Sequence, residues 1–299
     1  MPLDDRLVEY TCPAKINLTL AILGKQADGF HALHSIVAQT GFGDRLQIAW
    51  EAEGDPTGDK VSITGSDLPA DDNSVATAIR LFREVSGFDA GAFIAVLEKR
   101  IPAGAGLGGG SSDAVAALKG IRRLVGDTIP GLNWLELASR IGSDCPLFFH
   151  DGPVIMEGRG ERITPLSAQL SERLSGLPVA LFKPDFPINT AEAYRHLAAA
   201  VLYTPQAEAE RSLQDWQAGE MTLPQGGNDF ERLVEDWIPS IPVVLRRLRE
   251  QYGLDARMSG SGSACFALCE GKESLFEEIK KELVEAWGPH YWLVKTAIK

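Results

Sequence analysis

The chain has 299 residues, 44% of them hydrophobic and 23% charged, an ordinary globular composition with length for one large or two medium domains, two being the expectation. Its net charge of −12 excludes nonspecific nucleic-acid binding, which needs a basic surface to displace counterions. A small anionic substrate met by a few local cations remains compatible with it.

No stretch approaches the roughly 18 apolar residues of a membrane span. The start, Met1-Pro2-Leu3-Asp4-Asp5, lacks the basic-then-apolar pattern of a signal peptide. A soluble, cytoplasmic protein without membrane or nucleic-acid partners is therefore expected. Cys12, Cys145, Cys265 and Cys269 show neither paired C-x-x-C spacing nor nearby histidines, so free and mostly buried thiols are expected, with no disulfide and no zinc site.

In chain order, strand-like segments over 7–12, 16–23, 33–40 and 46–50 come first, with Gly and Asp between them. Lys15 and Asn17 stand two apart, so a strand puts them on one face. That spacing alone fits an ordinary strand face as well as an anion contact. Asp28-Gly29-Phe30-His31 joins a turn to an aromatic and an imidazole; His31 suits a base edge or a loop carbonyl equally. An apolar stripe predicts a helix over 73–85, followed by a strand over 92–98.

That strand runs into Pro102-Ala103-Gly104-Ala105-Gly106-Leu107-Gly108-Gly109-Gly110-Ser111-Ser112, and an Ala-rich helix begins at once. Glycines let consecutive N–H groups approach a ligand, and a helix start adds unpaired donors and the positive end of its dipole. The run therefore predicts a phosphate cradle, with Ser111 or Ser112 available to cap the helix. Gly104, Gly106 and Gly109 also spell G-x-G-x-x-G. However, the dinucleotide fingerprint needs an acidic residue ending a strand about 20 residues later, and the loop-like stretch at Asp127 does not supply it. A Walker A loop would end in Gly-Lys-Ser/Thr, which this run does not.

A second helix is predicted near 134–141, then Gly142-Ser143-Asp144-Cys145-Pro146, where Asp144 reads either as a helix cap or as a sheltered carboxylate able to take a proton. A hairpin is predicted over 153–163, and the polar stretch 165–176 marks the boundary between domains 1–165 and 166–299. Beyond it come a strand, a helix, helical stretches near 205–218, 228–236 and 240–251, a strand over 255–258, a Gly/Ser loop over 259–262, a strand over 264–269, a helix over 272–287 and a strand over 291–296.

These motifs together resemble the GHMP kinase superfamily, whose members phosphorylate small-molecule hydroxyls. The resemblance runs nearly end to end, through residues 13–18, 28–31, 102–112, 142–149, Asn189 and Thr190, Asn228 and Asp229, and 259–263. It is strongest to the branch acting on a cytidine diphosphate-linked polyol in non-mevalonate isoprenoid synthesis. What it implies is a two-domain α+β fold, the first domain with a left-handed β-α-β crossover and the second a ferredoxin-like α/β sandwich. It further implies ATP and magnesium, without marking a metal ligand, and a monomer or homodimer. By motif match Asp144 is the general base and Lys15 its charge-stabilising neighbour, Pro102 to Ser112 with Asn73 and Lys99 contact ATP, and Asn17, Phe30, His31, Thr190, Tyr194 and Gly260 contact the alcohol substrate. Phe30 and Tyr194 would sandwich the cytosine, although the first position is usually tyrosine in the family and the second aligns only through a loose register. Another small alcohol such as homoserine or mevalonate stays open, as does a non-catalytic nucleotide binder.

Overall fold

The strand-like segments at the start of the chain fuse into two long strands, β1 (Leu7–Lys25) and β2 (His31–Glu51), in a computed structural model that describes residues 7–27, 29–219 and 227–299. Two residues that usually interrupt strands are tolerated for separate reasons. Pro13 lies in β1, which pairs in its sheet with β2 alone, and an edge strand can spare the ladder donor that proline lacks. Gly43 lies where a Cβ would stand 2.2 Å from the Cys12 carbonyl oxygen, so only glycine lets the backbones come this close.

By internal contacts the described residues form two compact units. The first holds residues up to Ala14 together with Gly43–Pro102 and Gly108–Asp151; the second holds Lys15–Phe42, Ala103–Leu107 and Gly152–Lys299. Both long strands and the glycine loop thus contribute to each unit.

In the first unit, β4 (Ala92–Glu98) runs antiparallel to β2, pairing Leu97 with Leu46 and Ala95 with Ile48. A further strand, β3 (Lys60–Thr64), lies parallel to β4 and reaches it through α1 (Ser74–Ser86), which makes a β-α-β crossover. Sequence reading did not anticipate β3, because its residues alternate only between exposed and half-buried and carry no strong apolar signal. Helices α2 (Gly109–Val125) and α3 (Trp134–Ile141) pack against α1. Phe82 of α1 is fully buried, stacked on Trp134 and edge-on to Phe93, and this aromatic knot joins both helices to the sheet.

In the second unit, β5 (Val154–Gly158) and β6 (Arg162–Pro165) form the expected hairpin, and β5 pairs with the first half of β2. The stretch 165–176, read as a polar connection, instead contains α4 (Ala168–Leu174). Ser167 caps it by accepting from the Leu170 N–H, and Leu170 and Leu174 are buried; the polar letters are its solvent face. An antiparallel sheet follows in the order β10 (Tyr291–Ala297), β7 (Pro178–Pro184), β9 (Cys265–Leu268), β8 (Asp255–Met258). Helices α5 (Thr190–Ala200), α6 (Gln206–Ala218), α7 (Asp229–Trp237), α8 (Ser240–Tyr252) and α9 (Phe276–Trp287) complete the unit, so the class is α+β.

Among the described residues no helix is long and apolar enough to cross a membrane. All four cysteines are free and buried.

Candidate active site

In the second unit the structure gathers residues that lie far apart in the chain. The Lys15 Nζ donates to Asn17 Oδ1 at 2.5 Å, and Asn17 Nδ2 donates to Ser35 Oγ at 2.8 Å, so the two same-face residues form one buried polar row. The backbone of Lys15 donates to the Leu107 carbonyl at 2.9 Å, and the Asn17 N–H donates to Ser259 Oγ. Ser259 in turn donates to the Gly106 carbonyl, and the Ala264 N–H donates to that of Ala105. The predicted Gly/Ser hairpin loop is therefore laced to the first half of the glycine loop. Gly260 lies beside the ammonium of Lys15: a Cβ there would stand 3.3 Å from Nζ. Thr190 at the start of α5 shares a hydrogen bond with Ser261 at 2.9 Å, and Asn228 holds the same loop by donating to the Met258 and Gly260 carbonyls.

In the first unit, Gly108 has φ +69° and opens α2. Neither Ser111 nor Ser112 is the cap that the sequence suggested. Both lie inside the first turn, because the glycine run itself starts the helix and leaves its first N–H groups without a side-chain acceptor. Ser112 Oγ is buried and has no hydrogen-bond partner among the described residues. Ser111 hydrogen-bonds Cys145, whose thiol is pushed up to about 12 chiefly by burial.

Asp144 precedes a short 3-10 helix, Cys145–Phe149, yet its carboxylate caps nothing there, which removes the bland reading of this residue. Its side chain is half-buried and meets Ser143 Oγ at 3.5 Å.

Asn73 is the N-cap of α1. It accepts from the Val75 and Ala76 N–H groups and donates to the Pro69 and Ala70 carbonyls. Asn73→Ala is expected to cost about 1 kcal/mol of stability, the usual value of such a cap. Thermal unfolding checks this, and a parallel ATP titration separates the cap from any nucleotide contact. Lys99 is also buried, its ammonium between Asp44 Oδ2 at 2.5 Å and Asp113 Oδ2 at 2.7 Å. Sequence reading did not single out either aspartate, since 55 and 14 residues separate them from Lys99 and no local spacing marks them.

The His31 and Tyr194 rings matched to the alcohol pack against one another and against neighbouring aromatics. Tyr194 stacks on His31 with centroids 4.9 Å apart and meets Phe230 edge-on at 5.0 Å. Tyr203 Oη lies 3.4 Å from His31 Nε2. Burial, then the charge of Lys25, holds the imidazole below its ordinary pKa. Phe30 is 56% exposed and carries the Arg159 guanidinium 4.7 Å from its ring centroid. Arg159, Tyr203 and Phe230 were not legible in the sequence, where a lone arginine in a hairpin turn and scattered aromatics carry no signal. Asp28 lies outside the described residues.

The family model described as GHMP kinases N terminal domain matches residues 73–152, and that described as GHMP kinases C terminal matches 207–287. A 4-diphosphocytidyl-2-C-methyl-D-erythritol kinase of Parvibaculum lavamentivorans is 36% identical over 95% of this chain and 96% of its own length. The chain belongs to the GHMP kinases. A second relative of the same name, from Pelotomaculum thermopropionicum, is 36% identical over 87% of this GHMP kinase and 88% of its own length. A solved structure, the crystal structure of 4-(cytidine 5'-diphospho)-2C-methyl-D-erythritol kinase, superposes with a TM-score of 0.75 at 31% identity, covering 97% of this chain and 99% of the other. This GHMP kinase is accordingly a phosphotransferase of two-domain fold, with ATP as the family's phosphate donor.

Proposed function

We propose that this kinase transfers the γ-phosphate of ATP to the 2-hydroxyl of 4-diphosphocytidyl-2-C-methyl-D-erythritol. The observation that carries the substrate is the end-to-end likeness, 36% identity over 95% of the chain, to a kinase of that name. In this reading the Asp144 carboxylate takes the hydroxyl proton, the hydroxyl oxygen bonds to the γ-phosphorus, and the β,γ-bridging bond breaks to release ADP. Lys15 neutralises developing charge. The loop from Pro102 to Ser112 cradles the phosphates through its N–H groups, and the orphaned Ser112 hydroxyl supports this because a phosphate oxygen would satisfy it. Asn17, His31, Phe30, Tyr194, Thr190 and Gly260 serve the alcohol side, the rings offering π faces to cytosine.

Magnesium accompanies ATP and neutralises phosphate charge, usually keeping waters and few protein ligands. Among the described residues no group of three or more His, Cys, Asp or Glu could hold a metal ion, so these residues offer no dedicated metal cage.

The test is a substrate panel: purified protein with ATP and magnesium, offered 4-diphosphocytidyl-2-C-methyl-D-erythritol, homoserine and mevalonate separately. ADP release with the first alone is the expected result. Turnover of another alcohol with none of the first would reassign the substrate.

A further inference from the structure

The cluster of Asp44, Lys99 and Asp113 lies outside the chemistry proposed above, and its connections are unusual. All three side chains are buried, with exposures of 0% for Asp44, 6% for Lys99 and 2% for Asp113. Burying three charges is costly, and breaking one link leaves an uncompensated charge behind, so such a cluster holds its geometry tightly once formed. What it holds is the two ends of the glycine loop. Asp44 Oδ1 accepts from the N–H groups of Arg100 at 2.5 Å and Ile101 at 2.7 Å, the last residues before Pro102. Asp113 belongs to α2, immediately after Ser112. The ammonium of Lys99 bridges the two carboxylates and passes beside Gly109, where a Cβ would stand 3.3 Å from Nζ.

We infer that Asp44, Lys99 and Asp113 are positioning residues, a buried clamp that fixes the entry of the glycine loop against the start of α2 and so presets the loop for phosphate. Lys99 then acts through the two aspartates rather than by touching the nucleotide. The inference rests on the phosphate-cradle reading of that loop. Electrostatics agree with a mutually dependent cluster. Burial opposes the charge on Lys99, but Asp113 and Asp44 outweigh it and its pKa is raised; burial raises that of Asp113 against the pull of Lys99.

Asp113→Ala removes the link between Lys99 and α2 while leaving the Lys99–Asp44 pair, and Asp113→Asn keeps a carbonyl acceptor at the same place. The clamp predicts that Asp113→Ala raises the KM for ATP by roughly tenfold or more, as small misplacements of a binding element do. Asp113→Asn should restore it to within about threefold of the parent. Amide hydrogen exchange over residues 100–112 should quicken in the alanine variant and not in α8 or α9. These readings are taken where thermal unfolding shows each variant folded. Unchanged exchange over 100–112 in folded Asp113→Ala would overturn the clamp, as would equal KM changes in the alanine and asparagine variants. The exchange arm needs no nucleotide. A protein that failed to use ATP would therefore sink the kinase reading, while exchange still decided the clamp.

Discussion

Asp144→Asn is expected to lower kcat roughly a hundredfold or more, the scale of a positioned general base, while the Kd for ATP stays within a few-fold. The change removes a negative charge and the ability to accept a proton but keeps the shape of the side chain. Because the carboxylate caps no helix, its loss should leave the fold intact. Near-normal turnover would remove Asp144 from the role of base. A fall in turnover matched by a fall in thermal stability would instead assign it to the structure. Single-turnover measurements with saturating ATP distinguish a slower chemical step from weaker binding.

Gly106→Ala should damage both stability and nucleotide binding. The residue has φ +78°, a region that L side chains enter at a cost of about 1–2 kcal/mol. A Cβ there would stand 2.3 Å from the Ser259 carbonyl oxygen and 3.2 Å from the Gly262 nitrogen. Those are backbone atoms that cannot rotate aside, so moving the two loops apart adds roughly 1–3 kcal/mol. Thermal unfolding is expected to shift down by roughly 5–10 °C, with the KM for ATP raised at least about tenfold. An alanine variant with the parent's midpoint and KM would show that the close approach of the two loops is dispensable. Gly104→Ala is the useful contrast: it too has positive φ, but its nearest neighbour to a Cβ is Pro187 Cβ at 3.6 Å, an ordinary contact. Its effect should therefore be confined to backbone strain.

Local signals in the chain were strong where one element decided them. The apolar stripe of α1 and the glycine signal of the β5–β6 hairpin are properties of short windows, and those elements, like α3, stand close to where the sequence put them. The same logic misplaced what depended on distant neighbours. Gly43 reads as a break, yet it continues β2 because the Cys12 carbonyl passes against it. Ser167 through Leu174 reads as a linker until the burial of Leu170 and Leu174 explains which face is turned inward.

For the site, residue types and order already named a phosphate loop and a lone carboxylate, and motif matches added Lys15. Net charge argued against nonspecific nucleic-acid binding and length set the two-domain expectation, while the α+β class came from the resemblance to the GHMP kinases. Tertiary structure decided which of these residues keep company. It joined Lys15 and Asn17 to Gly106, Leu107 and the 259–262 loop, across as many as 242 residues of chain. It turned Asn73 into a helix cap, and it buried Lys99 between two aspartates that no spacing had marked. Helix and turn preferences are set by interactions within a few residues, so they can be read from sequence. Hydrogen bonds and ion pairs between distant segments exist only once packing has brought the segments within about 3 Å. The chain's own letters thus pointed to a phosphate loop, and folding decided how that loop is held.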